Sequence, residues 1–175
     1  MSEVEGGEGL PVPEQSRNEY LRPFPQSTIV SGVETEGPAH TGPFRGAVDF
    51  IVPLGTPVLA PLDGVVKMVV DDNDRFGVTE EFKDDANFIT IRHVNDELSE
   101  LVHLAKGSAR VKKGDRVRTG QQIATTGNSG WMDQPHLHFL VFQPANTQEQ
   151  FQGVTPRFRE RKPGLLTKFL RHRTL

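Results

Sequence analysis

The chain has 175 residues, enough for one domain with a hydrophobic core and too few for two large ones. Hydrophobic residues at 35 % and charged residues at 25 % exclude a disordered chain, and a net charge of −3 gives no case for nucleic-acid or membrane-surface binding. There is no cysteine, so disulfides, thiolate metal sites and cysteine nucleophiles are excluded, and any metal must be held by His, Asp, Glu or backbone oxygen.

Residues 1–26 are polar and rich in Gly, Pro and Glu, and read as a loosely ordered N-terminal arm. The opening stretch carries acidic residues and no apolar core, so it does not read as a signal peptide, and no apolar run approaches the ~20 residues of a membrane span. From Ser27 the text changes to β-branched runs separated by turn signals. Ala47 to Val52 reads as a strand, Val58 to Ala60 follows a turn at Pro53-Leu54-Gly55, and Val65 to Val70 follows Asp63-Gly64. Asp71 to Asp85 is charged and reads as a long hairpin loop. Strands are then expected at Phe88 to His93, Leu98 to Leu104, Ile123 to Thr126 and His136 to Phe142, the last clear one. No convincing helix lies between them, which argues for a mainly β domain over residues 27–156. Residues 157–175 form a basic tail, with Arg157, Arg159, Arg161, Lys162, Lys168, Arg171 and Arg173 against Glu160 alone; it reads as a solvated surface or as a patch for an anionic polymer.

The chemistry concentrates in few residues. Two of the six histidines stand in Pro135-His136-Leu137-His138-Phe139. Alternation along a strand puts both imidazoles on one face, roughly 7 Å apart, and leaves Leu137, Phe139 and Val141 for a core. Asp49 sits inside the apolar run Ala47-Val-Asp-Phe-Ile-Val52, where a carboxylate is costly unless paired or bound to metal. A catalytic zinc needs three protein ligands and an open fourth position. His40, Asp49 and one of His136 or His138 satisfy that, with the remaining histidine and His103 left for acid–base or oxyanion roles. Residue types alone do not decide which histidines bind metal.

A series of ordered motifs carries a resemblance. They run from His40-Thr-Gly42 and Ala47-Val-Asp-Phe50 through Pro53 to Ala60 and Asp63-Gly-Val-Val66, then Ala86 to His93 and Val102-His-Leu104. Lys113-Gly-Asp-Arg-Val117, Gly120-Gln-Gln-Ile123, Thr126-Gly-Asn-Ser-Gly130 and Pro135-His-Leu-His-Phe139 complete them. This series resembles the lysostaphin-type, or LytM-domain, zinc metallopeptidases of peptidase family M23, many of which cut peptide cross-links in bacterial cell walls. The resemblance implies a small antiparallel β-sheet or barrel-sandwich-like domain with long loops around a metal groove. It implies one zinc ion per chain, held by His40, Asp49 and His138, with His103 and His136 as the catalytic histidines, and His93 and Asn87 in supporting or substrate-binding roles. The expected activity is hydrolysis of peptide bonds in peptidoglycan stems or cross-links; the sequence does not fix the localisation, and a cell-wall substrate would imply action outside the cell or in its envelope.

Three departures stand out. The family commonly has His four residues before the ligand Asp, whereas Arg45 stands there and His40 lies nine before Asp49. Leu101 takes the place of a common Tyr, so help from that hydroxyl is missing. Trp131-Met-Asp-Gln134 replaces a Ser/Thr-Gly stretch and is expected to reshape a substrate-facing loop. Two other readings stay open: a catalytically inactive binding or regulatory domain of the same fold, and a biotinyl- or lipoyl-like carrier module, suggested by Lys113-Gly-Asp-Arg-Val117 and Gly120-Gln-Gln-Ile123. A non-haem iron site is disfavoured, because its first His and acid usually stand two residues apart.

Overall fold

The computed structural model of the chain describes residues 13–160, residue 147 apart. Thirteen strands follow in order: β1 (Gln15–Tyr20), β2 (Gly32–Glu34), β3 (Val48–Ile51), β4 (Pro57–Leu59), β5 (Gly64–Val70), β6 (Phe76–Gly77), β7 (Phe88–Arg92), β8 (Leu98–Val102), β9 (Arg116–Val117), β10 (Gln122–Thr125), β11 (Gly130–Trp131), β12 (His136–Pro144) and β13 (Phe151–Phe158). Helical structure among the described residues is limited to short 3₁₀ segments at Gly42–Phe44, Glu80–Asp85 and Val94–Asp96. The mainly β expectation holds.

One curled nine-stranded sheet carries the fold, in the order β1-β13-β12-β8-β7-β5-β9, with β3 also on β12 and β2 on β3. Strand β12 is its spine. One edge pairs with β8, while the other is shared, His136 to Phe139 with β3 and Val141 to Pro144 with β13. All of these ladders are antiparallel, but β1 joins β13 in parallel. The pleat then sorts the side chains. Leu137, Phe139 and Val141 join Leu101, Ile89 and Ile91 in the buried core, and the alternate residues of β12 take the opposite face.

Residues 13–26, expected as part of a loosely ordered arm, are instead built into the sheet and core. Ser16, Asn18 and Tyr20 of β1 point inward, and Tyr20 and Phe24 are buried in the main cluster. The cause is a buried acceptor. Glu97 takes hydrogen bonds from the backbone N–H groups of Arg17 and Asn18 and from the Tyr20 hydroxyl. A polar strand is thereby held against the sheet by a carboxylate rather than by apolar pattern alone. Strand β13 was likewise missed, and it runs past the expected boundary at residue 156, with Phe158 packing edge-on to Phe50. Residues 1–12 and the basic stretch 161–175, with His172, lie outside the described residues.

Candidate metal centre

Asp49 on β3 is paired in register with His138 on β12, so both project from the same face of the sheet. The Asp49 carboxylate divides between two histidines. Its Oδ1 lies 2.7 Å from Nδ1 of His138, and its Oδ2 lies 3.0 Å from Nε2 of His40. His136, two residues before His138 on the same face, brings Nε2 to 3.8 Å from Oδ1. Burial alone would push the Asp49 carboxyl up; the hydrogen bonds to His138 and His40 outweigh it and hold it well below the usual carboxylate range. Burial pulls His40 down, and the hydrogen bond and charge of Asp49 outweigh that and raise it.

His40 comes from a loop, and the longer spacing to Asp49 has a structural account. Between them the chain makes the 3₁₀ turn Gly42–Phe44 and a tight bend at Gly46 (φ +92), where a Cβ would lie 2.8 Å from the Val154 carbonyl carbon. The added residues are consumed in that detour, and His40 returns to the carboxylate. Arg45, at the position the family commonly gives to His, carries a guanidinium with no lone pair to offer a metal.

The donors of His40, Asp49 and His138 lie within 4.8 Å of one another. His40 is buried, and its Nε2 lies against the Asp49 carboxylate. Two imidazole nitrogens and a carboxylate oxygen this close together are a suitable donor set for zinc. The residues present therefore fit the metal.

His103 and His136 flank this cluster, with ring centroids 4.5 Å apart. The strand expected to run to Leu104 ends at Val102, because His103 adopts a left-handed conformation (φ 64). Its Nδ1 donates to the Ser129 carbonyl at 2.7 Å, and Nδ1 of His136 donates to the Gln134 carbonyl at 2.8 Å. A carbonyl partner fixes the proton on Nδ1 and leaves the Nε2 lone pair of each ring available. Burial, with the charges of His136 and His138 added, pushes His103 down to about 3, so it is a neutral imidazole at ordinary pH.

His93 does not join the centre. It follows Arg92, which pairs with Leu98 at the end of the β7–β8 ladder far from the Phe88–Val102 rung. Its Nδ1 donates to the Asp63 carbonyl and its Nε2 accepts from the Ser99 hydroxyl, each at 2.8 Å, so both nitrogens are satisfied. Asn87 is fully buried and bonds to Asn73 and Leu104 rather than facing the groove. Leu101 also lies in the core, opposite Phe139, so a tyrosine there would not face the histidines. In the Trp131 to Gln134 stretch, the Trp131 indole donates to the Val78 carbonyl and Gln134 donates to Glu34. Ser129 and the Gln134 carbonyl, which orient the two histidines, were not singled out from the sequence. The only signal was Ser129's place in the glycine-flanked loop Gly127 to Gly130.

A curled, mainly antiparallel sheet thus gathers on one face a His/Asp/His set that could hold a metal ion, with two further histidines beside it. The chain belongs to peptidase family M23, whose sequence profile matches residues 43–150, starting just after His40. It is 38 % identical over 113 residues to the peptidoglycan DD-endopeptidase ShyA of Vibrio cholerae, covering 63 % of this chain and 23 % of ShyA. It is 36 % identical over 101 residues to ShyC of the same organism, also named a peptidoglycan DD-endopeptidase, covering 58 % of this chain and 19 % of ShyC. The chain thus spans about a quarter or less of the length of these relatives. Among solved structures, the catalytic domain of the prophage-encoded M23 protein EnpA from Enterococcus faecalis, as its A109H mutant, superposes with a TM-score of 0.54 at 25 % identity, covering 76 % of this chain and 92 % of that one.

Proposed function

We propose that this domain is a zinc-dependent endopeptidase that hydrolyses peptide bonds in peptidoglycan stems or cross-links, binding one zinc ion per chain. The observation that carries the reading is the convergence of His40, Asp49 and His138 beside two histidines with free Nε2 lone pairs. A zinc ion bound there supplies a Lewis acid that activates water and polarises the scissile carbonyl. His40, Asp49 and His138 would hold it. His103 and His136 serve the reacting atoms through Nε2: one accepts a proton from the attacking water and returns it to the leaving amine, and the other donates a hydrogen bond to the developing oxyanion when protonated. The peptidoglycan substrate, and with it a site of action in the cell envelope, is supported by the activity for which ShyA and ShyC are named. No helix among the described residues is long and apolar enough to cross a membrane. Family membership and the intact histidine set favour this reading over a carrier module or an inactive binding domain.

Elemental analysis tests it. Purified protein should carry zinc near one equivalent, lose it with activity to a strong chelator, and regain both on adding zinc. Activity that survives complete zinc removal would overturn the reading.

A further inference from the structure

His103 is held at more points than a strand end requires. Its left-handed φ of 64 is uncommon for a residue other than glycine and persists only where neighbours enforce it. The His103 carbonyl accepts from the Gly127 N–H at 2.8 Å, and its ring Nδ1 is bonded to the Ser129 carbonyl. The next residue is fixed as well. The Leu104 N–H donates to the Asn87 carbonyl at 3.2 Å, and the Leu104 carbonyl accepts from Asn87 Nδ2 at 3.1 Å and from Ser129 Oγ at 3.0 Å.

Asn87 and Ser129 close the circuit. The Asn87 N–H donates to Ser129 Oγ at 3.0 Å, so that hydroxyl accepts from one segment and donates to another. Asn87 is anchored in turn by Asn73, through bonds of 3.0 and 2.9 Å. Both side chains are fully buried and all the donors of the Asn87 amide are used. Gly127 lets the loop press on the segment after His103, since a Cβ there would lie 2.3 Å from Ala105 Cα.

We propose that Asn87 and Ser129 are positioning residues for His103: they hold its backbone in the left-handed conformation and keep the Ser129 carbonyl on Nδ1, so that Nε2 presents a lone pair to the reaction. The assignment builds on His103 being catalytic, as argued under the proposed function. Neither residue touches the reacting atoms, and both act through the one imidazole. A buried polar network of this kind orients a functional group rather than adding one.

The first readout is long-range ¹H–¹⁵N NMR of the histidine rings in the full chain, which reports the His103 tautomer without any activity. Wild type should show the proton on Nδ1, and Ser129→Ala should show a mixed or inverted tautomer. A wild-type proton on Nε2, or an unchanged tautomer in Ser129→Ala, overturns the proposal. The second readout is kinetic. Ser129→Ala and Asn87→Asp should keep the wild-type zinc content and KM and lose about 10–100-fold in kcat. Placed in a His103→Ala background, Ser129→Ala should change the residual rate by less than about twofold. A full further loss in that background, or a loss confined to KM or to zinc, would mean that the two residues do not act through His103. If wild type neither holds zinc nor cleaves peptide, the peptidase reading fails, while the tautomer measurement still decides whether Asn87 and Ser129 position His103.

Discussion

Asp49 and His138 face each other across the β3–β12 ladder, Oδ1 to Nδ1 at 2.7 Å, and the second oxygen of Asp49 lies 3.0 Å from His40. The carboxylate is the hinge of the centre. Asp49→Asn keeps its shape and removes its charge. Zinc affinity, measured by competition with a chromophoric chelator, should fall by more than the 10–100-fold typical of losing an outer partner. His40→Ala should fall similarly while Arg45→Ala keeps wild-type affinity. Wild-type affinity in His40→Ala would remove His40 from the ligand set.

His103 and His136 should behave differently from the ligands. On the proposed assignment, alanine at either position removes a proton-transfer or hydrogen-bonding group beside the metal without removing a donor to it. Each variant should retain zinc and lose about 10²–10⁴-fold in kcat. Zinc loss in His103→Ala with retention in His138→Ala would exchange their roles.

His93 makes a pH prediction. Burial, above all, lowers its pKa below the ordinary 6.5, against the smaller opposing effect of its bond to the Asp63 carbonyl. Above 6.5 the folded and unfolded chains both hold it neutral, so it contributes no pH dependence there. As pH falls through 6.5 the unfolded chain binds a proton that the folded chain resists, and stability declines with falling pH. Urea unfolding of metal-free protein should show this acid-side loss, and His93→Gln should flatten it. Parallel curves for the two proteins would contradict it.

The link between β1 and Glu97 should appear in stability rather than in chemistry. Glu97→Ala leaves two buried backbone N–H groups and the Tyr20 hydroxyl without their acceptor, at roughly 1–3 kcal/mol per orphaned group. Tyr20→Phe removes one hydrogen bond and should cost about 1 kcal/mol. Phe24→Ala should cost about 3–5 kcal/mol by opening a cavity beside Phe50. Thermal unfolding measures all three. An unchanged midpoint in Glu97→Ala would show that β1 does not depend on this carboxylate.

Much of the centre was legible in the sequence because its residues break local rules. Asp49 is a charge in an apolar strand, and His136 and His138 put two imidazoles on one strand face. His40 was harder, since only the folded detour through Gly46 brings it back to Asp49. What stayed hidden acts through backbone. The Ser129 and Gln134 carbonyls orient His103 and His136, and no side-chain pattern announces a carbonyl. Strand β1 was hidden for a related reason: its inward residues Ser16 and Asn18 are polar, and the Glu97 carboxylate that accepts from the Arg17 and Asn18 N–H groups lies about eighty residues away. Leu101 misled in the other direction, because a change that seemed to touch the chemistry sits in the core.

Digestion of purified peptidoglycan by the zinc-loaded protein, with the released fragments identified by mass spectrometry, tests the central claim most directly. Wild-type protein should release fragments cut at a peptide bond, and chelator-treated protein and His103→Ala should release almost none. Fully zinc-loaded wild-type protein that leaves both wall peptides and isolated cross-linked fragments uncut would contradict the account.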